Sequence, residues 1–265
     1  MENTSWLKQT ADKPLFEDLI WSQPENKAQA GKLLIVGGNL HGFTAAAKAF
    51  SAAEKAGSGS VRVVLPDKLR ATVSRLFAEA EFASSTSVGS FSKSALAQLI
   101  DQASWADGVL LAGDFGKNSE TAILLEAFLE KFDGQVTMCG DSIDYFLHVS
   151  DKPLNRKKTV ILADFGRLQA LAKYSRRTSP LTHDMSLYEL VKALAAWSGE
   201  VEASLITYHQ GSVAVATDGK VSTTSVEPIR FPELAAYTGV WWLQNPSKPF
   251  EALTSAVYFA SRNTA

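Results

Sequence analysis

Short apolar runs alternate with stretches of helical periodicity over the first two thirds of the chain, and this pattern predicts strands that alternate with helices. The predicted strands are Lys32–Gly38, Val61–Leu65, Gly108–Gly113, Val136–Gly140 and Thr159–Ala163. The predicted helices are Ala45–Ala56 and a segment capped by Ser119, with Ile123, Leu124, Ala127 and Phe128 on one face. Near-continuous apolar strands between helices are typical of a parallel sheet that helices cover on both faces.

The last third of the chain has a different pattern. Ser186 and Glu189 have the spacing of a capping box and predict a helix that continues to about Trp197. Asp218-Gly219 lies between two β-prone runs, which is a strong hairpin signal. The predicted strands here are Ser204–Tyr208, Ser212–Thr217 and Lys220–Ser225, and the predicted closing helices are Pro232–Leu243 and Pro249–Ser261. The parallel units therefore give way to an antiparallel hairpin near the C-terminal end.

Composition limits the class of protein. The chain has 265 residues, 46% hydrophobic and 20% charged, which is ordinary for a globular protein. Its net charge of -2 argues against a protein that binds duplex nucleic acid. The first ten residues lack the apolar core of a signal peptide, and no run approaches the roughly 18 apolar residues of a membrane helix. We therefore expect one cytoplasmic domain over residues 1–265, with residues 1–26 as an N-terminal extension packed on it, and no membrane or nucleic-acid partner.

Candidate binding residues follow the predicted strands, because open α/β sheets bind ligands beyond the carboxyl ends of their strands. The candidates are Gly37 and Gly38 at the end of the first strand, Asn39 and Phe43 after it, Asp114 after the third strand, Asp141 after the fourth and Asp164 after the fifth. The backbone N–H groups of the first loop would cradle an anion, or its glycines would make a tight turn that needs positive φ. Asp114 would hold a metal ion or a sugar hydroxyl, or its loop would be a solvated turn followed by an N-cap. Both alternatives stay open in each case.

Several other kinds of site are disfavoured by spacing. The four histidines are far apart and have no spacing of a zinc site. Neither a G-x-S-x-G nucleophile elbow nor a G-x-G-x-x-G dinucleotide loop is present. The lone cysteine, Cys139, has no histidine or cysteine neighbour and is interpreted as a buried structural thiol. Trp241-Trp242 is interpreted as packing.

The order of these loops resembles the ribokinase-like superfamily, and within it the ADP/ATP-dependent NAD(P)H-hydrate dehydratases. The similarity runs from about Lys27 to Arg262. Its strongest part is Lys27–Leu65, with the segments NKAQAGKLLIVGGN and AAAKAFSAAEKAGSGSVRVVLP. The later segments that match in order are ADGVLLAGDFG, VTMCGDS, TVILADFGRLQAL, SLITYHQGSVAVATDGKV and PFEALTSAVYFAS. The resemblance implies a three-layer αβα sandwich with a mostly parallel sheet.

The same resemblance implies an activity and its residues. Members of the family phosphorylate the 6-hydroxyl of hydrated NADH or NADPH with ADP or ATP and then eliminate phosphate. It implies Glu233 as the catalytic base and Asp141 as a second catalytic-site carboxylate. It also implies substrate-binding residues Gly37, Gly38, Asn39, Phe43, Asp114 and Asp164, and nucleotide-binding residues Arg230, Phe231, Tyr208 and Gln210. The implied ligands are ADP or ATP, with Mg²⁺ as a candidate ion and no resident metal, and a nicotinamide-type molecule. A homo-oligomer is also compatible with the resemblance.

The chain departs from the family where the donor's phosphates bind. The family's Gly-x-Gly-Asp loop falls on Arg230-Phe231-Pro232-Glu233, so both glycines are lost, and Pro232 contributes no N–H donor. The first interpretation is a divergent dehydratase with Glu233 as base. The alternatives are a relative that binds a nucleotide or nicotinamide ligand without turnover, and a sugar or vitamin kinase of the same fold.

Overall fold

A ten-stranded mixed sheet forms the centre of the computed structural model, which describes residues 6–10, 12–21, 23–74, 77, 80–175 and 180–263. The strands are β1 Trp6–Gln9, β2 Lys32–Gly37, β3 Ser60–Pro66, β4 Ala80–Ala83, β5 Gly108–Gly113, β6 Gln135–Cys139, β7 Thr159–Leu162, β8 Ser204–His209, β9 Ser212–Thr217 and β10 Lys220–Ser225. Their spatial order is β1-β10-β9-β8-β7-β6-β5-β2-β3-β4. Only the two pairings of β9, with β8 and with β10, are antiparallel among the described strands.

Helices cover both faces of this sheet. They are α1 Glu17–Trp21, α2 Thr44–Lys55, α3 Arg70–Val73, α4 Leu96–Trp105, α5 Ser119–Lys131, α6 Asp151–Leu154, α7 Phe165–Tyr174, α8 Leu187–Ser198, α9 Phe231–Gln244 and α10 Pro249–Asn263. Helices α4, α5, α7 and α8 contribute to one buried cluster, and α2, α9 and α10 contribute to the other. The predicted αβα sandwich with a mostly parallel sheet and a C-terminal hairpin is confirmed. None of the helices described is both long and apolar enough to cross a membrane.

The apolar run of β2 explains why the sheet needs two helical layers. Leu34 and Val36 belong to the first buried cluster, while Leu33 and Ile35 belong to the second. Successive side chains of a strand point to opposite faces, so an unbroken apolar run is stable only when both faces are covered.

Helix α5 corrects two expectations. Its N-cap is Asn118, whose side chain accepts hydrogen bonds from two backbone N–H groups, so the helix is capped one residue before the predicted Ser119. Ile123 is 55% exposed, although the periodicity placed it on the apolar face. The buried face is instead Thr121, Leu124, Leu125, Phe128 and Leu129. Apolar residues lie on two overlapping faces of this helix. The face that includes Leu125 and Leu129 is buried, and the face that includes Ile123 is not.

The N-terminal segment is part of the sheet. Strand β1 pairs in parallel with β10, so the antiparallel hairpin lies inside the sheet rather than at its edge. The Gln9 amide donates hydrogen bonds to Thr224 Oγ1 (3.0 Å) and Thr254 O (2.9 Å), which ties β1 to β10 and α10. The residues expected to form an extension thus contribute an edge strand.

Candidate functional site

Four of the predicted loops meet at one edge of the sheet. Gly37 pairs with Gly113 at the ends of β2 and β5, and Cys139 pairs with Leu162 at the ends of β6 and β7. Since these strands are parallel neighbours, their carboxyl ends lie side by side. We call this set of loops the carboxyl edge.

The backbone N–H groups of the loop after β2 are hydrogen-bonded within the protein. Its donors and acceptors are Gly38 N to Gly113 O (3.0 Å), Asn39 N to Gly42 O (2.9 Å), Leu40 N to Gly89 O (2.9 Å), His41 N to Asn39 Oδ1 (2.7 Å) and Gly42 N to Asn39 O (3.0 Å). Gly38 has a φ of 89°. Engaged donors and a left-handed glycine favour the tight turn over the anion cradle.

Asp114 caps a helix from the neighbouring loop. Its Oδ2 atom accepts a hydrogen bond from the backbone nitrogen of Ala45, in the first turn of α2, at 2.8 Å. Its carbonyl oxygen accepts one from the Asn39 amide at 2.6 Å. The residue has a φ of 59°, a conformation that aspartate tolerates better than most residues. The loop after β5 is therefore fastened to the loop after β2.

Asp141 fastens the same loop from the other side. Its two carboxylate oxygens accept hydrogen bonds from the backbone nitrogens of Phe115 (3.2 Å) and Gly116 (3.0 Å). Burial raises the pKa of the Asp141 carboxyl, while those two hydrogen bonds oppose the shift. The Tyr145 hydroxyl donates to the carbonyl oxygen of Gly116, so the loop is held at a third point.

Asp164 caps α7 and pairs with an arginine. Its Oδ1 atom accepts a hydrogen bond from the backbone nitrogen of Arg167 at 2.9 Å. The Arg167 guanidinium bridges Asp164 and Asp144, with Nε lying 2.9 Å from Asp144 Oδ1. The three strand-end carboxylates thus all bind protein groups, two of them at helix starts.

Tyr208 and Gln210 lie on the hairpin side of the sheet. Tyr208 is half-buried against the second core cluster, and the Gln210 amide donates to Met185 O at 3.0 Å. Between them, His209 stacks on Phe165 with ring centroids 4.3 Å apart. His183 also contacts Phe165, at 5.0 Å. The spacing in the sequence does not predict that these two histidines share one aromatic neighbour, because the contact joins distant loops.

The first turn of α9 carries the predicted base. Arg230 is its N-cap residue but makes no side-chain capping hydrogen bond, and Pro232 occupies the first turn. Glu233 Oε1 lies 3.9 Å from Arg230 Nη1, with the side chains 18% and 67% exposed respectively. Phe231 packs partly buried against the second core cluster. Glu233 and Asp141 make no hydrogen bond with each other.

A groove of about 530 Å³ opens beside Glu233, along the outer side of α2. Its lining residues are Phe43, Thr44, Ala47, Lys48, Ser51, Ala52, Lys55, Glu233, Tyr237 and Asn263. We call it the α2 groove. It brings Phe43 and Glu233, predicted for different roles, into one concave surface.

The carboxyl edge offers few free oxygen ligands to a Mg²⁺ ion. Magnesium is usually held by one or two carboxylates together with substrate phosphates and water. Both oxygens of Asp141 already accept backbone N–H groups, and one oxygen of Asp114 caps α2. No group of three or more histidine, cysteine or acidic residues with metal-site geometry occurs in the part of the chain that the structure describes.

Solved structures share this architecture. A ribokinase-like superfamily protein from Enterococcus faecalis superposes with a TM-score of 0.73 at 15% identity, covering 99% of this chain and 88% of that one. The fold is ribokinase-like. The ribokinase-like fold is also seen in the ADP/ATP-dependent NAD(P)H-hydrate dehydratase from Bacillus subtilis co-crystallised with ATP/Mg²⁺ (TM-score 0.65, 12% identity, 94% of this chain and 87% of that one). A PfkB protein from Polaromonas is more distant (TM-score 0.52, 9% identity, 88% and 95%). No family model and no curated protein matches the sequence.

Proposed function

We propose that this protein binds an adenine nucleotide or a nicotinamide-type ligand at the carboxyl edge and the first turn of α9, without dehydrating hydrated NAD(P)H by its relatives' route. The observation that supports this proposal is that the polar groups of the carboxyl edge are hydrogen-bonded to one another. The Asp141 carboxylate accepts hydrogen bonds from the backbone N–H groups of Phe115 and Gly116, and the Asp114 carboxylate accepts one from Ala45. The N–H groups and carboxylates that would act on a substrate are therefore hydrogen-bonded to each other.

Phosphoryl transfer would also lack its donors at α9. Stabilising a transferring phosphoryl group needs N–H groups directed at the developing charge, and each lost donor costs about 2.7–4 kcal/mol of transition-state stabilisation. Pro232 has no N–H to give, and the Glu233 carboxylate places a negative charge in the same turn. This turn therefore lacks the N–H donors that would stabilise a phosphoryl group during its transfer.

Binding would depend on side chains that remain available. Arg230 is well exposed, and a guanidinium offers paired donors to a phosphate. The choice of an adenine nucleotide or a nicotinamide-type ligand rests on the resemblance to nucleotide-dependent dehydratases and on the ribokinase-like fold.

The experiment measures binding and turnover on the same sample. Thermal shifts are recorded with ATP, ADP, NAD and NADP, and recovery of NADH absorbance is followed after adding hydrated NADH with ADP or ATP. We expect stabilisation by at least one ligand and no recovery. Arg230→Ala should reduce the stabilisation, whereas Lys220→Ala, at the exposed first position of β10, should not. Absence of any thermal shift contradicts the proposal.

A second candidate is the divergent dehydratase itself, favoured by the position of Glu233. A carboxylate 18% exposed in the first turn of α9 would accept the proton of the 6-hydroxyl as that oxygen receives the phosphoryl group from the nucleotide. Phosphate would then leave from C6 with the electron pair of the C–O bond while C5 loses a proton to solvent, which restores the ring double bond. The nucleotide would depart one phosphate shorter. Recovery of NADH that Glu233→Gln abolishes would favour this candidate over the binding protein.

A further inference from the structure

We propose that a pocket at the opposite end of the sheet from the carboxyl edge binds a free α-amino acid with an apolar side chain. The pocket has a volume of about 310 Å³ and lies where β5, β6 and β7 begin and α9 ends. Its walls include Asp107, Gln135, Lys158, Trp242, Leu243 and Pro246. We call it the amino-edge pocket. Because it shares no residue with the carboxyl edge, this inference does not rest on the proposed function.

A buried glutamine in the pocket wall has a free acceptor. Gln135 is 7% exposed, and its Nε2 atom donates a hydrogen bond to the carbonyl oxygen of Gly239 in α9 at 2.9 Å. This hydrogen bond fixes the orientation of the side-chain amide. The Oε1 atom accepts no hydrogen bond from the residues described. A buried amide normally has partners for both of its ends, so a ligand N–H group in the pocket would complete the hydrogen bonding of Gln135.

Opposite charges stand on the two sides of Gln135. Gly108 pairs with Gln135 between β5 and β6, and the pairing of β6 with β7 places Lys158 beside Gln135 on the other side. Asp107 directly precedes Gly108. Since neighbouring strands are about 4.8 Å apart, the backbones of Asp107 and Lys158 are separated by about 10 Å, a gap that their side chains can narrow. Neither residue has a partner of opposite charge within 4.0 Å among the residues described.

The side of the pocket next to β5 and α9 favours a ligand ammonium group. The Oδ2 atom of Asp107 accepts a hydrogen bond from the backbone nitrogen of Lys32 at 2.9 Å, which positions the carboxylate and leaves Oδ1 for a ligand. Helix α9 ends at Gln244 and has no basic residue in its last turn, so its own side chains do not offset the negative end of the helix dipole. Lys158, on the other side, would bind the ligand carboxylate. An α-amino acid carries both charged groups on one carbon and would use both sides.

Apolar side chains supply the remaining wall. Trp242 is 7% exposed, and Leu243 and Pro246 lie beside it in the pocket. A Cβ atom built on Gly108 would lie 3.0 Å from Leu243 Cδ2 and 3.3 Å from Gln135 Cβ, so the missing side chain of Gly108 lets the apolar wall approach the glutamine. A volume of about 310 Å³ is at the lower end of the range for small-molecule sites. The pocket therefore suits one amino acid with an aliphatic or aromatic side chain.

The test titrates the full chain with L-leucine, L-methionine and L-phenylalanine, using calorimetry and backbone amide NMR. We expect saturable binding of at least one of them at millimolar or lower concentration. Amide shifts should concentrate at Gln135, at Lys158 and in the last turn of α9. No saturable binding of any of the three, or shifts confined to the carboxyl edge, would overturn the proposal.

Analogues of the amino acid that binds most tightly test each contact. Its amide lacks the carboxylate, the corresponding deaminated acid lacks the ammonium group, and glycine lacks the side chain. Each should bind about ten-fold more weakly or worse, because each leaves one wall of the pocket unused. An analogue that binds as tightly as the amino acid would contradict the arrangement proposed.

Lys158→Gly removes the cation with little risk to the fold. Lys158 has a φ of 56°, a conformation that glycine adopts freely, so the variant should melt at the wild-type temperature or above it. Its affinity for the amino acid should fall about ten-fold. The control is Lys157→Ala, at the exposed preceding residue, which should bind like the wild type. Unchanged affinity in Lys158→Gly, or equal losses in the two variants, would reject the site.

Asp107→Asn tests the ammonium contact independently. The asparagine oxygen can still accept the hydrogen bond from the Lys32 nitrogen, so the variant loses the charge and keeps the cap on β2. The affinity for the amino acid should fall about three- to ten-fold. An affinity equal to or higher than that of the wild type would remove Asp107 from the site and contradict the orientation of the ligand.

Discussion

The Oδ2 atom of Asp114 lies 2.8 Å from the backbone nitrogen of Ala45, so a residue that follows β5 caps the helix that follows β2. Asp114→Ala should lower the free energy of unfolding by about 2 kcal/mol, because it removes a helix cap and forces alanine into a left-handed conformation. Urea denaturation measures the loss. The control is Asp218→Ala in the hairpin turn, where φ is also positive, at 48°, and no helix is capped. A loss at Asp114 no larger than that at Asp218 would exclude the capping contribution.

Asp141 should give a pH-dependent contribution to stability. Burial raises its pKa above the usual 3.8, so the folded state holds the proton more tightly than the unfolded state does. This contribution favours the folded protein below the raised pKa and is lost as the pH rises through it. The free energy of unfolding of the wild type minus that of Asp141→Asn should therefore fall as the pH rises from about 3.8 towards neutrality. Urea titrations at several pH values measure this signed difference, and a rise with pH would show that the two backbone hydrogen bonds outweigh burial.

Gly37 should tolerate no side chain. A Cβ atom built there would lie 2.6 Å from the carbonyl oxygen of Gly113, which is backbone and cannot move aside freely. Gly37→Ala should cost about 1–3 kcal/mol, since it separates β2 from β5 at the carboxyl edge. Gly42→Ala is the matched control, because nothing lies within 4 Å of its Cβ position. Thermal melting of both variants tests the prediction, and equal melting temperatures would refute it.

Arg156 should not be replaceable by lysine. Its guanidinium donates to the carbonyl oxygens of Phe132 and Gly134 and to Thr159 Oγ1, joining the turns before β6 and β7. A lysine ammonium cannot match that fork, so Arg156→Lys should lose about 1–3 kcal/mol of stability. The exposed neighbour Lys157 offers the control Lys157→Ala, which should stay near wild type. If Arg156→Lys unfolds at the wild-type urea concentration, these hydrogen bonds contribute little.

The core strands were predictable because a strand that is buried on both faces has a continuous apolar run in its own sequence. Gly108–Gly113, Ser212–Thr217 and Lys220–Ser225 have the predicted bounds, and the Ser186 capping box is present. Strands without an apolar run were not predicted. Trp6–Gln9 and Ala80–Ala83 are the short strands at the two edges of the sheet. Their strand conformation depends on pairing with β10 and with β3, which an apolar pattern in the segment itself does not reveal.

The candidate site was predictable in position but not in its bonding. The topology rule placed Asp114, Asp141 and Asp164 after their strands, and the structure has all three there. Their acceptance of backbone N–H groups could not be predicted, because two of them bind loops 25 to 69 positions away. The buried thiol of Cys139 was predicted correctly and donates to Ala112 O. The α2 groove was missed, since its walls come from α2 and from α9 and α10, which are distant in sequence.

The pairing of β1 with β10 sets an order of assembly during synthesis. Trp6 donates a hydrogen bond to Thr223, 217 positions later, so β1 leaves the ribosome long before its partner strand β10 does. Contacts between such distant segments form slowly compared with the local β–α–β units in between. Among the described strands, β1 thus waits longest between its synthesis and its pairing in the sheet. Until then the exposed edge of β10 is open to pairing with another nascent chain.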